Sequence, residues 1–216
     1  DILFDLSGHT TYNRLPVFAL RPAPVQISWI GYPGTTGLAE MDYRLLSSTL
    51  VKSTGLQAQL TERIMFTETR KLFEPHPKSP DVNTLPALRN GYLTFGSFNR
   101  PKKINDNVVK VWAEILKQYP ESRLLLGFMT DDEMIASMKK RFVKLGIQPD
   151  RLLFRGLVDL EVYLGFHHDV DILLDAFPYT GGTTTNHGAW MGLPTLTLSG
   201  ETVAGQQGVD IMRSFG

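Results

Sequence analysis

The sequence predicts an α/β protein whose larger part is a doubly wound parallel sheet. Two observations predict it. From residue 92 onward, short apolar runs alternate with segments whose apolar residues recur every three to four positions. Five such strand-helix units follow one another at ~20 to 30 residue spacing, the arrangement of a parallel sheet covered by helices on both faces.

The elements follow in chain order. Ile2, Leu3, Phe4 and Leu6 read as a buried strand entered in mid-element, so the chain reads as a fragment. Val25, Ile27, Trp29 and Ile30 alternate as a second strand, which runs into the tight loop Gly31-Tyr32-Pro33-Gly34-Thr35-Thr36-Gly37. A third strand covers about Tyr43 to Leu46. Pro75, Pro77, Pro80 and Pro86 interrupt residues 53–91, which read as an interdomain connection with a strand or two inside it.

A strand at Leu93 to Phe98 opens the regular part, and Asn99-Arg100-Pro101-Lys102-Lys103 forms the turn after it. Val108, Val111, Trp112, Ile115 and Leu116 mark a helix capped by Asn105 or Asp106 and stopped by Pro120. Leu124 to Phe128 is a strand. The next helix carries Asp131, Asp132 and Glu133 at its start and Lys139, Lys140, Arg141 and Lys144 at its end, as the helix dipole favours. Strands at Leu152 to Phe154, Ile172 to Leu174 and Thr195 to Leu198 alternate with helices from about Asp159, Thr184 and Ala204, the last barely begun at Gly216.

Composition sets bounds on function. The 216 residues are 42% hydrophobic and carry 22 Lys plus Arg against 22 Asp plus Glu, so no net field draws the chain to nucleic acid or an anionic membrane. The absence of cysteine excludes disulfides, thiolate nucleophiles and Cys-rich zinc sites. No apolar run approaches the ~20 residues of a membrane span and no leader pattern opens the chain. The default location is cytoplasmic.

In parallel sheets ligands gather at the carboxyl ends of the strands. Asp175 through Thr185 carries Gly181, Gly182, Thr183, Thr184 and Thr185 between a strand and a helix, which suits a diphosphate: glycines let backbone N–H groups approach, and the helix start adds partial positive charge. The alternative is an ordinary turn in which the threonines are caps. Lys102 and Lys103, in the turn after Phe98, are cations able to reach the same diphosphate, or else a solvated charged loop. The pattern is not the Gly-x-Gly-x-x-Gly of dinucleotide folds. His167 and His168 diverge on a helix and read as surface residues, His76 as inert, and His9 and His187 as plausible ligand contacts.

Phe18 through Gln26, Trp29 through Thr35, Phe98-Asn99 with Lys103, and Asp175 through Thr185 with Trp190-Met191-Gly192 resemble the O-linked N-acetylglucosamine transferase and Spindly family, glycosyltransferase family 41, bacterial members above all. The resemblance covers nearly the whole chain. It implies a GT-B fold: residues 1–52 as the end of an acceptor-side Rossmann-like domain, 53–91 as the connection, and 92–216 as a donor-binding Rossmann-like domain truncated at its end, with tetratricopeptide repeats upstream. It further implies an inverting enzyme that needs no metal or other cofactor and moves a sugar from UDP-N-acetylglucosamine, or fucose from GDP-fucose, to Ser or Thr hydroxyls of proteins. Nucleic acid and membrane are not expected partners.

By the same resemblance Lys103 grips the donor diphosphate and assists its departure, and Arg100 stands at a polar nucleotide contact. Thr183 and Thr184 are the phosphate-binding hydroxyls, Val158 stands where backbone reads the base edge, Ile30 and Gly31 where a loop touches the sugar, and His9 near the acceptor. Four positions depart from the pattern. Tyr163 replaces a base-stacking histidine, His187 an acid at the ribose, and Gly205-Gln206 a Ser-Arg pair. These departures leave a degenerate, non-catalytic nucleotide-binding or interaction module as an alternative.

Overall fold

The computed structural model describes residues 1–48, 55–68 and 73–215. The chain divides into two compact units, residues 1–72 with 199–214, and residues 73–198. The first unit holds strands β1 (Ile2–Asp5), β2 (Val25–Ser28), β3 (Tyr43–Ser47) and β4 (Arg63–Thr67) in a parallel sheet of that order, with the short helix α1 (Leu15–Phe18) between β1 and β2.

The second unit opens with α2 (Pro86–Asn90), followed by β5 (Thr94–Ser97), α3 (Asp106–Gln118), β6 (Arg123–Leu126), α4 (Asp132–Val143) and β7 (Leu152–Phe154). It continues with α5 (Leu160–Gly165), β8 (Ile172–Leu174), α6 (Thr183–Trp190) and β9 (Thr195–Leu196). All its strands are parallel, in the order β7-β6-β5-β8-β9. This is the doubly wound order, in which the winding direction reverses between β5 and β8. The α/β class expected from the alternation is what the backbone shows.

Local chemistry explains the helices. Asn105 caps α3 by accepting from the N–H groups of Asn107 and Val108, which settles which of the two candidate residues is the cap. Asp131 caps α4 through the N–H of Met134 at 2.7 Å. Alternate side chains of β6 serve opposite faces, as strand geometry requires. Leu124 and Leu126 join Val108, Trp112 and Leu116 of α3 and Phe142 of α4, while Leu125 joins Tyr163 and Leu164 of α5 with Leu173 of β8. Each such fully buried leucine contributes about 1.5–3 kcal/mol.

Several expectations need correction. Among the described residues the opening strand pairs with β2 alone, and Ile2 and Phe4 are exposed. The second strand stops at Ser28, because Ile30 takes a left-handed backbone with φ 56° that no strand accommodates. Residues 53–91 contain β4, a strand of the first sheet, and the boundary between the two units falls inside them, between residues 72 and 73. The residues of that stretch at 53, 54 and 69–72 lie outside the described ones. The last helix, α7 (Val203–Ser214), groups with the first unit rather than with the sheet that precedes it, because Val203 packs on Leu46, Leu56 and Leu60.

Candidate functional site

The second unit brings together the two turns that the sequence singles out. β5 and β8 are hydrogen-bonded neighbours, so the turn after each opens at the carboxyl edge where the winding reverses. Nζ of Lys103 donates to the Thr180 carbonyl at 2.7 Å and lies 3.8 Å above the Tyr179 ring. Asn105 donates to the Phe177 carbonyl at 2.7 Å. Burial lowers the Lys103 ammonium below its usual range; Asp175 draws it back up and Arg100 pushes it further down. Lys102 and Arg100 are exposed.

Sequence reasoning missed the residue that organises this edge. Oδ1 of Asp175 accepts from the N–H of Gly181 at 2.7 Å, from the N–H of Ala176 at 2.9 Å and from the Asn99 amide at 3.1 Å, while Oδ2 accepts from the Thr197 hydroxyl at 2.9 Å. Burial raises its carboxyl, and the hydrogen bonds from Thr197, Gly181, Asn99 and Ala176 pull it back down. One carboxylate thus ties the ends of β5, β8 and β9. Its signal in the sequence was an acid closing the apolar run Ile172-Leu173-Leu174.

The glycines and threonines are ordered by the same turn. A Cβ on Gly181 would stand 2.3 Å from the Thr185 hydroxyl and 3.0 Å from that of Thr184, so only glycine fits. Gly182 is the N-cap of α6, and no side chain caps the helix there. The threonines are therefore not its caps; the Thr185 N–H is taken by the Gly182 carbonyl at 3.1 Å, and the N–H groups of Thr183 and Thr184 stand at the helix end where an anion gains from the dipole. Thr183 is exposed, Thr184 half-buried and Thr185 buried. Ser97, Asn99, Asp175, Thr184 and Thr185 line a shallow concavity beside them.

His187 stands one helical turn beyond Thr183 and Thr184. Its Nδ1 lies 3.4 Å from the Tyr163 hydroxyl, and its ring meets Phe73 and Tyr163 edge-on. Burial lowers its imidazole. Tyr163 itself does not offer a stacking face. It is 6% exposed, stacked on Phe128 and edge-on to Phe98, His167 and His187, so packing rather than ligand contact accounts for it. Val158 is exposed in the turn between β7 and α5.

Of the other histidines, His167 differs from expectation. His167 is a core residue at 1% exposure, lying over Phe98 at 4.4 Å between ring centroids, and burial pushes its imidazole down to about 4. His168 meets the Asp81 carbonyl through Nε2 at 2.8 Å, and His76 accepts from the Lys78 N–H within a turn.

In the first unit, His9, Ile30 and Gly31 share one corner. Nε2 of His9 meets the Thr36 carbonyl at 3.0 Å, and its ring meets Tyr32 edge-on. A Cβ on Gly31 would stand 1.9 Å from the Leu6 carbonyl, so the loops after β1 and β2 close on each other only with glycine there. Ile30 is exposed beside it. Among the described residues no group of three or more His, Asp or Glu side chains is placed to hold a metal ion, and no helix is long and apolar enough to cross a membrane.

Comparison with known proteins places this geometry in context. The model of Glycosyl transferase family 41 matches residues 1–78 and 82–216. The chain is 40% identical over 230 residues to an Arabidopsis thaliana protein named probable UDP-N-acetylglucosamine-peptide N-acetylglucosaminyltransferase SPINDLY, and 39% identical to its Petunia hybrida counterpart. It is 30% identical over 217 residues to the Arabidopsis thaliana protein of the same description named SEC, with 94% of this chain and 22% of that protein covered. All of this chain is covered in the two SPINDLY comparisons, but only 24% of either relative. Among solved structures, a Lys-to-Met mutant of Thermobaculum terrenum O-GlcNAc transferase is similar at TM-score 0.90 and 32% identity, over 99% of this chain and 41% of that one.

Proposed function

Since the chain belongs to glycosyl transferase family 41, we propose that it supplies the nucleotide-sugar site of a protein O-glycosyltransferase. The observation that carries this reading is the meeting of Lys103 with the Thr180 turn at the place where the sheet reverses its winding. A donor diphosphate seated on the first turn of α6 would have N–H groups and the Thr183 and Thr184 hydroxyls on one side and the Lys103 ammonium on the other.

Chemically, the acceptor hydroxyl oxygen bonds the anomeric carbon as the bond to the nucleoside diphosphate breaks, its proton passes to water or to the departing diphosphate, and negative charge grows on that leaving phosphate. Lys103 and the α6 dipole stand where that charge develops, which lowers the barrier without a metal ion. Arg100 adds positive field at the nucleotide, Val158 offers backbone to the base, and His187, neutral at pH 7, accepts one ribose hydroxyl bond at most. His9, Ile30 and Gly31 serve the sugar and acceptor side.

UDP-N-acetylglucosamine is the donor we favour, following the names of the relatives. GDP-fucose is the second donor that the family resemblance implies, although the SPINDLY and SEC relatives alike carry UDP-N-acetylglucosamine in their names. The acceptor is a Ser or Thr hydroxyl of a protein, and this chain spans about a quarter of the length of the relatives it matches. Calorimetric titration of the intact protein with UDP, GDP and NAD, with and without a chelator, tests the reading. Metal-independent binding of UDP or GDP is expected; binding abolished by the chelator, or binding of NAD alone, would overturn it.

A further inference from the structure

The glycine-rich loop after β2 is held from behind by charges that have no place in an ordinary sheet interior. Strand register sets Asp5 of β1 opposite Ser28 of β2, and Ser28 opposite Arg44 of β3, so the three form one row across the sheet. Arg44 is 2% exposed. One arm of its guanidinium donates to the Ser28 hydroxyl at 2.7 Å and the other to the Tyr32 carbonyl inside the loop. Ser28 donates in turn to Asp5, which accepts from the N–H groups of Ser7 and Gly8 in the loop after β1. At the loop's far end Glu62 accepts from the Thr36 N–H and hydroxyl and from Thr35 at 2.8 Å.

The near end of the same loop is strained. Ile30 adopts φ 56°, a region that disfavours a β-branched side chain and persists only where the surroundings impose it. Burying the Arg44 guanidinium carries a desolvation cost, and its two terminal nitrogens are each bonded, to the Ser28 hydroxyl and the Tyr32 carbonyl. The carbonyl it holds lies two residues beyond Ile30.

We propose that Arg44 is a positioning residue, whose two-armed grip on Ser28 and the Tyr32 carbonyl holds Ile30 and Gly31 in the strained form that meets the sugar or acceptor. The inference rests on the transferase reading only for the consequence on turnover. Lysine keeps the charge but lacks the fork, so it cannot hold both partners. Asp5 and Glu62 are the charged groups that act on the guanidinium.

The test uses the full-length protein with Arg44→Lys, Arg44→Met and the milder Ser28→Ala, which leaves the arm on Tyr32. Amide hydrogen exchange is followed over residues 29–37 and over the strands of the second unit. Both Arg44 variants are expected to speed exchange in the loop at least tenfold with the second unit unchanged, and Ser28→Ala to do so less. Sugar transfer per folded molecule should fall at least tenfold while the dissociation constant for UDP or GDP stays within about twofold. Unchanged loop exchange in both Arg44 variants, or a lowered melting temperature with full turnover per folded molecule, would overturn the proposal. If the parent protein neither binds nucleotide nor transfers sugar, the transferase reading falls, and the exchange measurement alone decides the role of Arg44.

Discussion

Replacing Gly181 by alanine separates packing from ligand binding at the proposed diphosphate turn. The new methyl would lie 2.3 Å from the Thr185 hydroxyl, 3.0 Å from that of Thr184 and 3.2 Å from Oδ1 of Asp175, against an ordinary contact of ~3.5–4 Å. Thr185 is 3% exposed and cannot swing aside, so the turn itself must shift by about an ångström. Overpacking of this kind costs about 1–3 kcal/mol, which lowers the melting temperature by roughly 3–10 °C in a domain of this size. The shift also moves the Gly181 N–H off Asp175 and displaces the Thr184 hydroxyl. Loss of one or two bonds to a charged phosphate, at about 1.5–3 kcal/mol each, weakens UDP or GDP binding at least tenfold. Differential scanning calorimetry and isothermal titration on the intact protein measure the two effects. A loss of stability with unchanged nucleotide affinity would refute the turn as the diphosphate site, and no loss of stability would refute the packing argument itself.

Four further outcomes are expected. Lys103→Ala in the full-length enzyme should lower turnover about a hundredfold, on the scale of ~3 kcal/mol for positioned stabilisation of leaving-group charge, with exposed Lys102→Ala far less harmful; equal losses would place the wrong lysine at the phosphate. Burial already lowers the Lys103 ammonium, so nucleotide affinity should decline as pH rises through that lowered value, and Asp175→Asn should bring the decline to lower pH; a superimposable pH profile would separate the two residues. Asparagine can keep an oxygen at the Oδ1 position, where three donors converge, so the variant tests charge more than shape. His167, neutral in the core with its imidazole pushed down to about 4, contributes stability that is complete above pH 6.5 and lost as pH falls. That loss amounts to about 3 kcal/mol by pH 4, and urea titrations of His167→Phe across this range should show a flatter acid limb than the parent.

The helices and the two chemically loaded turns were legible in the sequence because their determinants are local. Asn105 and Asp131 cap the helices that follow them within three residues, and the 3.6 period of Val108, Trp112 and Leu116 is a property of one segment. Gly181 and Gly182 announce a turn wherever they stand. What only the tertiary structure decided depends on pairings far apart along the chain. His167 lies in the core because Phe98, nearly 70 residues earlier, supplies the ring beneath it, and Tyr163 is closed to a base because Phe128 and Phe98 occupy its surroundings. Asp175 became a clamp through Asn99 and Thr197, which reach it from the ends of β5 and β9. The row Asp5, Ser28 and Arg44 is invisible along the sequence, since a one-residue slip of any strand would turn its side chains to the other face. Local periodicity and capping energies write elements into the sequence, whereas strand register and the burial of polar groups follow from the whole set of long-range contacts settling together.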